Sequence, residues 1–440
     1  MKGKLVVWVV AATLACGVFA GTAASAQQAG LTNVQRGQIS DMMHDAYNEV
    51  KKHYYDPTLH GLDWDARYKQ YSARMNSAQN LGQGFRDVAA FLAGLKDSHT
   101  YFIPPMRANR YEAGFRYALV GDNCFVTEVR PGTDAASKLH PGDQILKMNG
   151  FSIDRQDFQD AAYYFDILAP QAAMELDLRA PGGQEGMALI KATVIQGKHT
   201  LDLTDNGDDY WALLRREENE DHATREEAEE IGDVMIWKFP DFYADLNEME
   251  RFVEKASKHK TLILDLRNNG GGSIDELKAM VGSLFDHEVK IADRVGRKEH
   301  KPVIAKPYGK VFGGKLIVLV NAESGSAAEL LARVVQLEHR GTVIGDRTAG
   351  AVMEAKSYSE AEGPDTQIFY SFSVTDADLL MSDGKSLEKT GVTPDEVILP
   401  TAADLAAGRD PVLAHAAELA GITLDPAAAG KMFPFEWLPM

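Results

Sequence analysis

Cysteine is nearly absent: the 440 residues contain two, Cys16 and Cys124, which leaves no disulfide framework and no cysteine-based zinc centre. Positive charge is also in short supply. Lys plus Arg total 46 against 64 Asp plus Glu, a formal net of −18, and a field of that sign argues against nucleic acid as a general partner. Internal repeats are missing, as are His-Glu-x-x-His, the G-x-x-x-x-G-K-[ST] phosphate loop and the G-x-S-x-G elbow. What is present is ordinary for a globular chain, with 45% hydrophobic and 25% charged residues. At this length a single core is excluded, and two to four domains are expected.

The first residues read as an address. Lys2 and Lys4 precede the apolar stretch from Leu5 to Ala20, which gives way to small residues ending Ala24-Ser25-Ala26. A short basic end, an apolar middle and an A-x-A site make a secretory signal over 1–26, cleaved near Ala26. An uncleaved anchor is the weaker reading, because the stretch is short for spanning and lacks a basic flank. The expected destination is the periplasm, with a lipid-anchored form at Cys16 or full secretion as the alternatives.

Beyond the signal the chain changes character several times. Ile39, Met42, Met43, Tyr47 and Val50 recur at helical steps, as do Phe85, Val88, Ala89, Phe91 and Leu92, so 32–105 reads as a helical domain closed by Pro104-Pro105. Short strands and turns follow over 112–197. Their centre is Leu139-His140-Pro141-Gly142-Asp143-Gln144-Ile145-Leu146-Lys147-Met148-Asn149-Gly150, a turn, a strand and an Asn-Gly hairpin signal. This string resembles the PDZ domain, in which an extended peptide adds as a strand and its terminal carboxylate meets backbone N–H groups. Residues 198–233 carry acidic runs such as Glu226-Glu227-Ala228-Glu229-Glu230, read as a solvated linker or insertion, with Trp211, Leu213 and Leu214 as its docking points. From 234 to 400 strands and helices alternate, and Thr261–Leu266 and Lys315–Val320 are continuous apolar runs, the pattern of an α/β core with a largely parallel sheet. The Ala-rich tail, 401–440, reads as helical.

Two strand-to-helix junctions in that core carry chemistry. In Asp265-Leu266-Arg267-Asn268-Asn269-Gly270-Gly271-Gly272-Ser273, three glycines after a buried strand allow close backbone approach and aim N–H groups at an anion. In Asn321-Ala322-Glu323-Ser324-Gly325-Ser326-Ala327-Ala328-Glu329, a serine stands at the start of a helix beside the N–H of Ala327. That placement suits a nucleophile whose product oxyanion needs a nearby donor, and it equally suits a plain N-cap serine.

Together these strings, with Val343-Ile344-Gly345-Asp346-Arg347-Thr348-Ala349-Gly350 and Gly391-Val392-Thr393-Pro394-Asp395, resemble the C-terminal processing, or tail-specific, serine peptidases. The order of motifs matches from about residue 35 to 400, and the resemblance implies a crotonase-like α/β peptidase core with a helical amino-terminal domain and an inserted PDZ-like β domain. One position departs. Where many of these enzymes have a lysine general base, this chain has Ala351, and Lys356 is out of register. A second branch, which includes the tricorn core protease, uses histidine. Asp97-Ser98-His99-Thr100 and the glutamate in Leu387-Glu388-Lys389 match that branch.

The resemblance to it implies Ser326 as nucleophile and His99 as general base. Ser98 and Glu388 would be supports, Glu388 reaching the imidazole through Ser98, and backbone N–H groups of Gly271 and Ala327 would form the oxyanion hole, with Gly270 the near alternative to Gly271. An imidazole of ordinary pKa about 6.5 can take the serine proton and return it. The expected function is an exported endopeptidase acting on unfolded or C-terminally exposed polypeptides through an acyl-enzyme, with no metal or cofactor implied. Its partner is a peptide tail held by the PDZ domain, and homo-oligomeric assembly is left open. Two alternatives stand beside it: a PDZ peptide-binding pseudoprotease without catalysis, and a hydrolase of non-peptide esters or amides.

Overall fold

The computed structural model describes residues 31–105, 109–196, 226–243, 245–298, 300–362 and 368–437. The expected signal segment and Trp211, Leu213 and Leu214 lie outside the described residues.

Helices α1 (Asn33–His53), α2 (Trp64–Met75) and α3 (Leu81–Leu92) open the fold. Each starts on a residue whose side chain accepts a first-turn N–H: Thr32 in a capping box with Gln35, then Asp63 and Asn80. Ile39, Met42, Met43, Ala46 and Val50 face inward from α1, and the Trp64 ring packs at a tilt on Phe91, 4.1 Å between ring centroids. The segment does not end as a separate helical body. Its last stretch, β1 (Tyr101–Ile103), becomes a strand of a core sheet described below.

The next unit is a small β structure with strands β2 (Asn109–Glu112), β3 (Phe115–Val120), β4 (Asn123–Val129), β5 (Gln144–Met148), β6 (Phe151–Ser152), β7 (Ala173–Arg179), β8 (Glu185–Lys191) and β9 (Thr193–Gln196). One sheet runs β3-β4-β5-β7-β8 with β6 on β5, while β2 and β9 pair separately. Asn149 and Gly150 both take positive φ, 47° and 81°, which is the two-residue turn that joins β5 to β6. Helix α4 (Phe158–Ala162), continued by a wider turn from Tyr163 to Leu168, covers one side. Strand β3 is outermost in the sheet.

The core follows as β10 (Glu227–Ile231), β11 (Val234–Lys238), α5 (Leu246–Ala256), β12 (Thr261–Asp265), α6 (Ile274–Leu284), β13 (Val289–Gly296), β14 (Val303–Ala305), β15 (Lys315–Val320), α7 (Ala327–Leu337), β16 (Gly341–Gly345), β17 (Met353–Glu362), β18 (Ile368–Met381) and β19 (Glu396–Val397). The main sheet has the order β10-β11-β12-β15-β16-β19 and is parallel apart from its antiparallel β10–β11 edge. Every residue of β12 is buried because both faces are covered. Leu262, Leu264, Val318 and Val320 pack into one cluster with the helices, whereas Ile263, Ile317, Leu319 and Ile344 pack against Val412, Leu413 and Ala416. The latter three belong to α9 (Pro411–Leu419), which with α8 (Ala402–Ala406) and α10 (Pro426–Ala429) makes up the tail. A second sheet centres on β18, flanked by β17 on one side and by β1 and β13 on the other, with β14 beyond β13. Tyr370, Phe372 and Val374 of β18 share a cluster with α1 and α3, so the helical segment and the core are one packed body.

One expectation is overturned here. The run Glu226–Glu230 is not a solvated linker: residues 227–231 form β10, and buried Glu226 accepts a hydrogen bond of 2.9 Å from the Trp237 indole. The turn at Gly232 folds this acidic segment back on β11, and the antiparallel pairing satisfies a backbone edge that would otherwise face solvent.

Candidate active site

The two glycine- and serine-bearing junctions lie side by side at the ends of the adjacent parallel strands β12 and β15, where open α/β sheets place their sites. They are laced together. Asn321 Nδ2 donates to Asn268 Oδ1 at 2.6 Å, Asn268 N donates to Asn321 Oδ1 at 2.9 Å, Ser324 Oγ donates to the Leu266 carbonyl at 2.7 Å, and Gly325 N donates to the Asn269 carbonyl at 2.9 Å. Below the glycines, Arg267 bridges Asp265 and Asp410 of the tail, which anchors the loop to the tail.

Ser326 sits half-buried at the entry to α7 with φ 49° and ψ −115°, a strained conformation for a side chain with a Cβ. What holds it is Glu329, one turn into the helix and fully buried. Its carboxylate accepts four hydrogen bonds: from Ser326 N at 3.0 Å, Thr348 Oγ1 at 2.5 Å, Gly350 N at 2.8 Å and Ala351 N at 2.9 Å. Burial nonetheless dominates and pushes the Glu329 carboxyl up to about 7, with these donors pulling it back down. Ser326 N also donates to the Ala351 carbonyl at 2.9 Å, so Ala351 touches the serine through its backbone. Glu329 stands three residues after Ser326, and no role for it followed from the string alone.

The histidine side is assembled from distant parts of the chain. Ser98 Oγ donates to Glu388 Oε2 at 2.8 Å and lies 2.7 Å from His99 Nδ1. A hydroxyl has one proton. Having given it to the carboxylate, Ser98 accepts from Nδ1–H, which leaves Nε2 of a neutral His99 as the unprotonated nitrogen. Glu388 is held in turn by Ser98 N at 2.8 Å and Val352 N at 2.9 Å. Asp97 Oδ1 shapes the loop by accepting from His99 N, Thr100 N and Thr375 Oγ1. Burial lowers the His99 pKa from its ordinary value, and the charges of Glu388 and Asp97 offset part of that shift.

Consecutive residues join the two sides: Ala351 bonds to Ser326 and Val352 to Glu388. Among the described residues no direct hydrogen bond links Ser326 Oγ to His99, and substrate-free sites of this kind commonly leave that pair long. Of the two N–H groups expected to face an oxyanion, that of Gly271 is already engaged. Gly271 packs against the serine, with a Cβ at that position falling 2.6 Å from Ser326 Cβ, but its N–H is already donated to Asn269 Oδ1 at 2.9 Å. The N–H groups of Ala327 and of exposed Gly270 have no partner among the described residues. Asn269, fully buried and tied to the Phe239 carbonyl, is what commits Gly271.

The β unit sits directly on this site. Ala322, four residues before Ser326, is part of its hydrophobic cluster. Arg155 pairs with Asp346 at 2.7 Å and donates to the Arg347 and Gly121 carbonyls, so the unit grips the loop that runs on to Gly350 and Ala351. A cleft of about 590 Å³ lies at this junction, between Asp122, Arg155 and Arg347.

Comparison with known proteins agrees with this architecture piece by piece. Residues 230–398 match peptidase family S41, 38–86 the tricorn protease C1 domain and 105–162 the PDZ domain. The tail-specific protease of Haemophilus influenzae is 26% identical over 287 residues, covering 59% of this chain and 38% of that one. Chloroplastic carboxyl-terminal-processing peptidase 3 of Arabidopsis thaliana is 25% identical over 388 residues, covering 83% and 69%. The chain thus spans well under half of the Haemophilus protein's length. Among solved structures, mature CPAF superposes with a TM-score of 0.62 at 15% identity, covering 85% of this chain and 95% of that one, which is likeness of fold. The core over 230–398 is thus similar to peptidase family S41, and with the PDZ match the chain resembles the PDZ-containing serine peptidases of the C-terminal processing type.

Proposed function

We propose that this chain is an exported serine endopeptidase that cleaves unfolded or C-terminally exposed polypeptides through an acyl-enzyme on Ser326. The observation that carries the assignment is the chain of contacts Glu388–Ser98–His99, which leaves Nε2 of the imidazole free to act as a base. Ser326 Oγ attacks the substrate carbonyl carbon while His99 Nε2 takes its proton. The tetrahedral oxyanion is held by the N–H of Ala327 and, in preference to the committed Gly271, by that of Gly270. Collapse breaks the C–N bond, and the amine leaves with the proton returned by His99. Water then attacks the ester with His99 again as base, releasing the new carboxyl end and restoring Ser326. Losing one oxyanion donor typically costs about 3–4 kcal/mol of transition-state stabilisation. Glu329 is a positioning residue for the serine in this scheme.

The remaining assignments follow the same reading. Residues 1–26 are a signal peptide and the mature protein is periplasmic; 32–105, 112–197, 226–400 and 401–440 are the helical, PDZ, peptidase and tail units. The PDZ unit binds apolar C-terminal tails. Ala351 is compatible with activity because a histidine supplies the base that a lysine would otherwise provide.

The test is a comparison of two otherwise identical unfolded protein substrates, one ending in an apolar tail and one ending Asp-Asp. Cleavage of the first, slower cleavage of the second and none by Ser326→Ala is the expected outcome. Equal turnover by Ser326→Ala would overturn the assignment.

A further inference from the structure

The last described residues leave the body of the fold in an unusual way. Phe433 packs on the sheet face shared with α9, and its ring lies 5.8 Å from Lys238 Nζ. It then takes φ 65° immediately before Pro434, a strained conformation for a bulky residue, and the chain turns toward the PDZ unit. Phe435 lies under the Arg116 guanidinium at 4.5 Å and Trp437 under that of Arg130 at 5.4 Å, while the two rings meet edge to face at 5.0 Å.

These arginines mark a particular place. Arg116 is on β3, which among the described residues pairs only with β4 and is an outer strand of its sheet. Arg130 N donates to the Gly114 carbonyl at the start of that strand. A peptide joining a PDZ sheet adds to such an edge. The tail supports this position from behind as well: the Pro141-Gly142 turn packs on the Ala402 carbonyl of α8, and Gly121 faces Leu399. Two aromatic–guanidinium contacts on one short segment are more than chance coverage of a surface requires.

We propose that the aromatic segment Phe433–Trp437 is an internal ligand of the PDZ domain, seated at the Arg116–Arg130 end of the β3 edge and excluding a peptide tail until it is displaced. This rests on the peptide-binding reading of that domain. It makes the segment a competitor, so a tail from another polypeptide engages only by expelling it.

The test uses the full chain carrying Ser326→Ala and a fluorescein-labelled synthetic peptide with the sequence of residues 431–440. Binding is read by anisotropy with and without the added changes Phe435→Ala and Trp437→Ala. Removal of two exposed aromatic–cation contacts is expected to tighten peptide binding about tenfold. Equal or weaker binding by the triple variant, or no binding by either protein, overturns the proposal. A second readout keeps the aromatic segment intact. The emission difference between the Ser326→Ala chain and the same chain with Trp437→Phe reports Trp437, and saturating peptide is expected to move that signal to longer wavelength. A signal that does not move also overturns it. Neither readout requires catalysis, so the peptidase assignment stands or falls separately on the reactivity of Ser326.

Discussion

The serine side and the histidine side of this site are built on opposite principles. Ser326 is held by backbone: its N–H, with those of Gly350 and Ala351, converges on the single buried carboxylate of Glu329, and every element involved belongs to one stretch of the α/β core. His99 is held by side chains, Ser98 and Glu388, that come together across 290 positions of sequence. The first arrangement is rigid and local, suited to keeping one strained residue in place. The second depends on the helical segment and the core packing correctly against each other, so it is the part that distant contacts make or break. Ala351 and Val352 are where the two meet, one residue serving each side.

Breaking this comparison at its ends produces the largest effects. Ser326→Ala and His99→Ala are each expected to lower kcat by about 10⁴-fold or more, and the double change to cost little beyond either alone, because the pair acts as a unit. Steady-state cleavage of an unfolded substrate measures this; additive losses would show that His99 does not serve Ser326. Next comes the relay. Ser98→Ala leaves the Nδ1–H of His99 without its acceptor and is expected to reduce kcat/KM about 100-fold while thermal stability changes little. Glu329→Ala separates the two sides in the other direction. It strips the acceptor from four donors around the serine, so unfolding should be easier by about 3 kcal/mol in a denaturant titration, together with loss of activity. If activity falls with stability intact, Glu329 does more than hold the backbone.

The pH profile sharpens the comparison further. Burial disfavours the imidazolium of His99, so the neutral base persists as pH falls, and the acid limb of kcat/KM should have its midpoint below 6.5. A midpoint near 7 would instead assign the limb to Glu329, whose carboxyl is pushed up to about 7. The smallest effect is expected for Ala351→Lys. A lysine there adds no base to a site already served by His99, and activity should stay within about threefold of wild type or fall through crowding beside Ser326.

Legibility in the sequence followed the same divide. The serine side could be read directly, since Thr261–Asp265, Lys315–Val320 and Ala327–Leu337 are contiguous runs with clear periodicity, and the glycine and serine junctions sit at their ends. The pairing of Ser98, His99 and Glu388 could be named only through resemblance, because nothing local in either string encodes a contact 290 positions away. Three features escaped. The role of Glu329 stayed hidden because three of its donors, Thr348, Gly350 and Ala351, come from a different loop. The commitment of Gly271 depends on which way the Asn269 side chain turns. The acidic run 226–230 looked solvated because charge density hid a strand whose pairing with Val234–Lys238 satisfies its backbone.

The central claim is that His99 activates Ser326. A fluorophosphonate probe applied to the purified protein, with the labelled residue located by peptide mass spectrometry, tests it directly. Wild type should label at Ser326 and His99→Ala should not. Because the PDZ unit packs against the site, both proteins are also treated in the presence of an apolar C-terminal peptide. Equal labelling of the two proteins, or a wild type that stays silent at Ser326 with peptide present, would contradict the account.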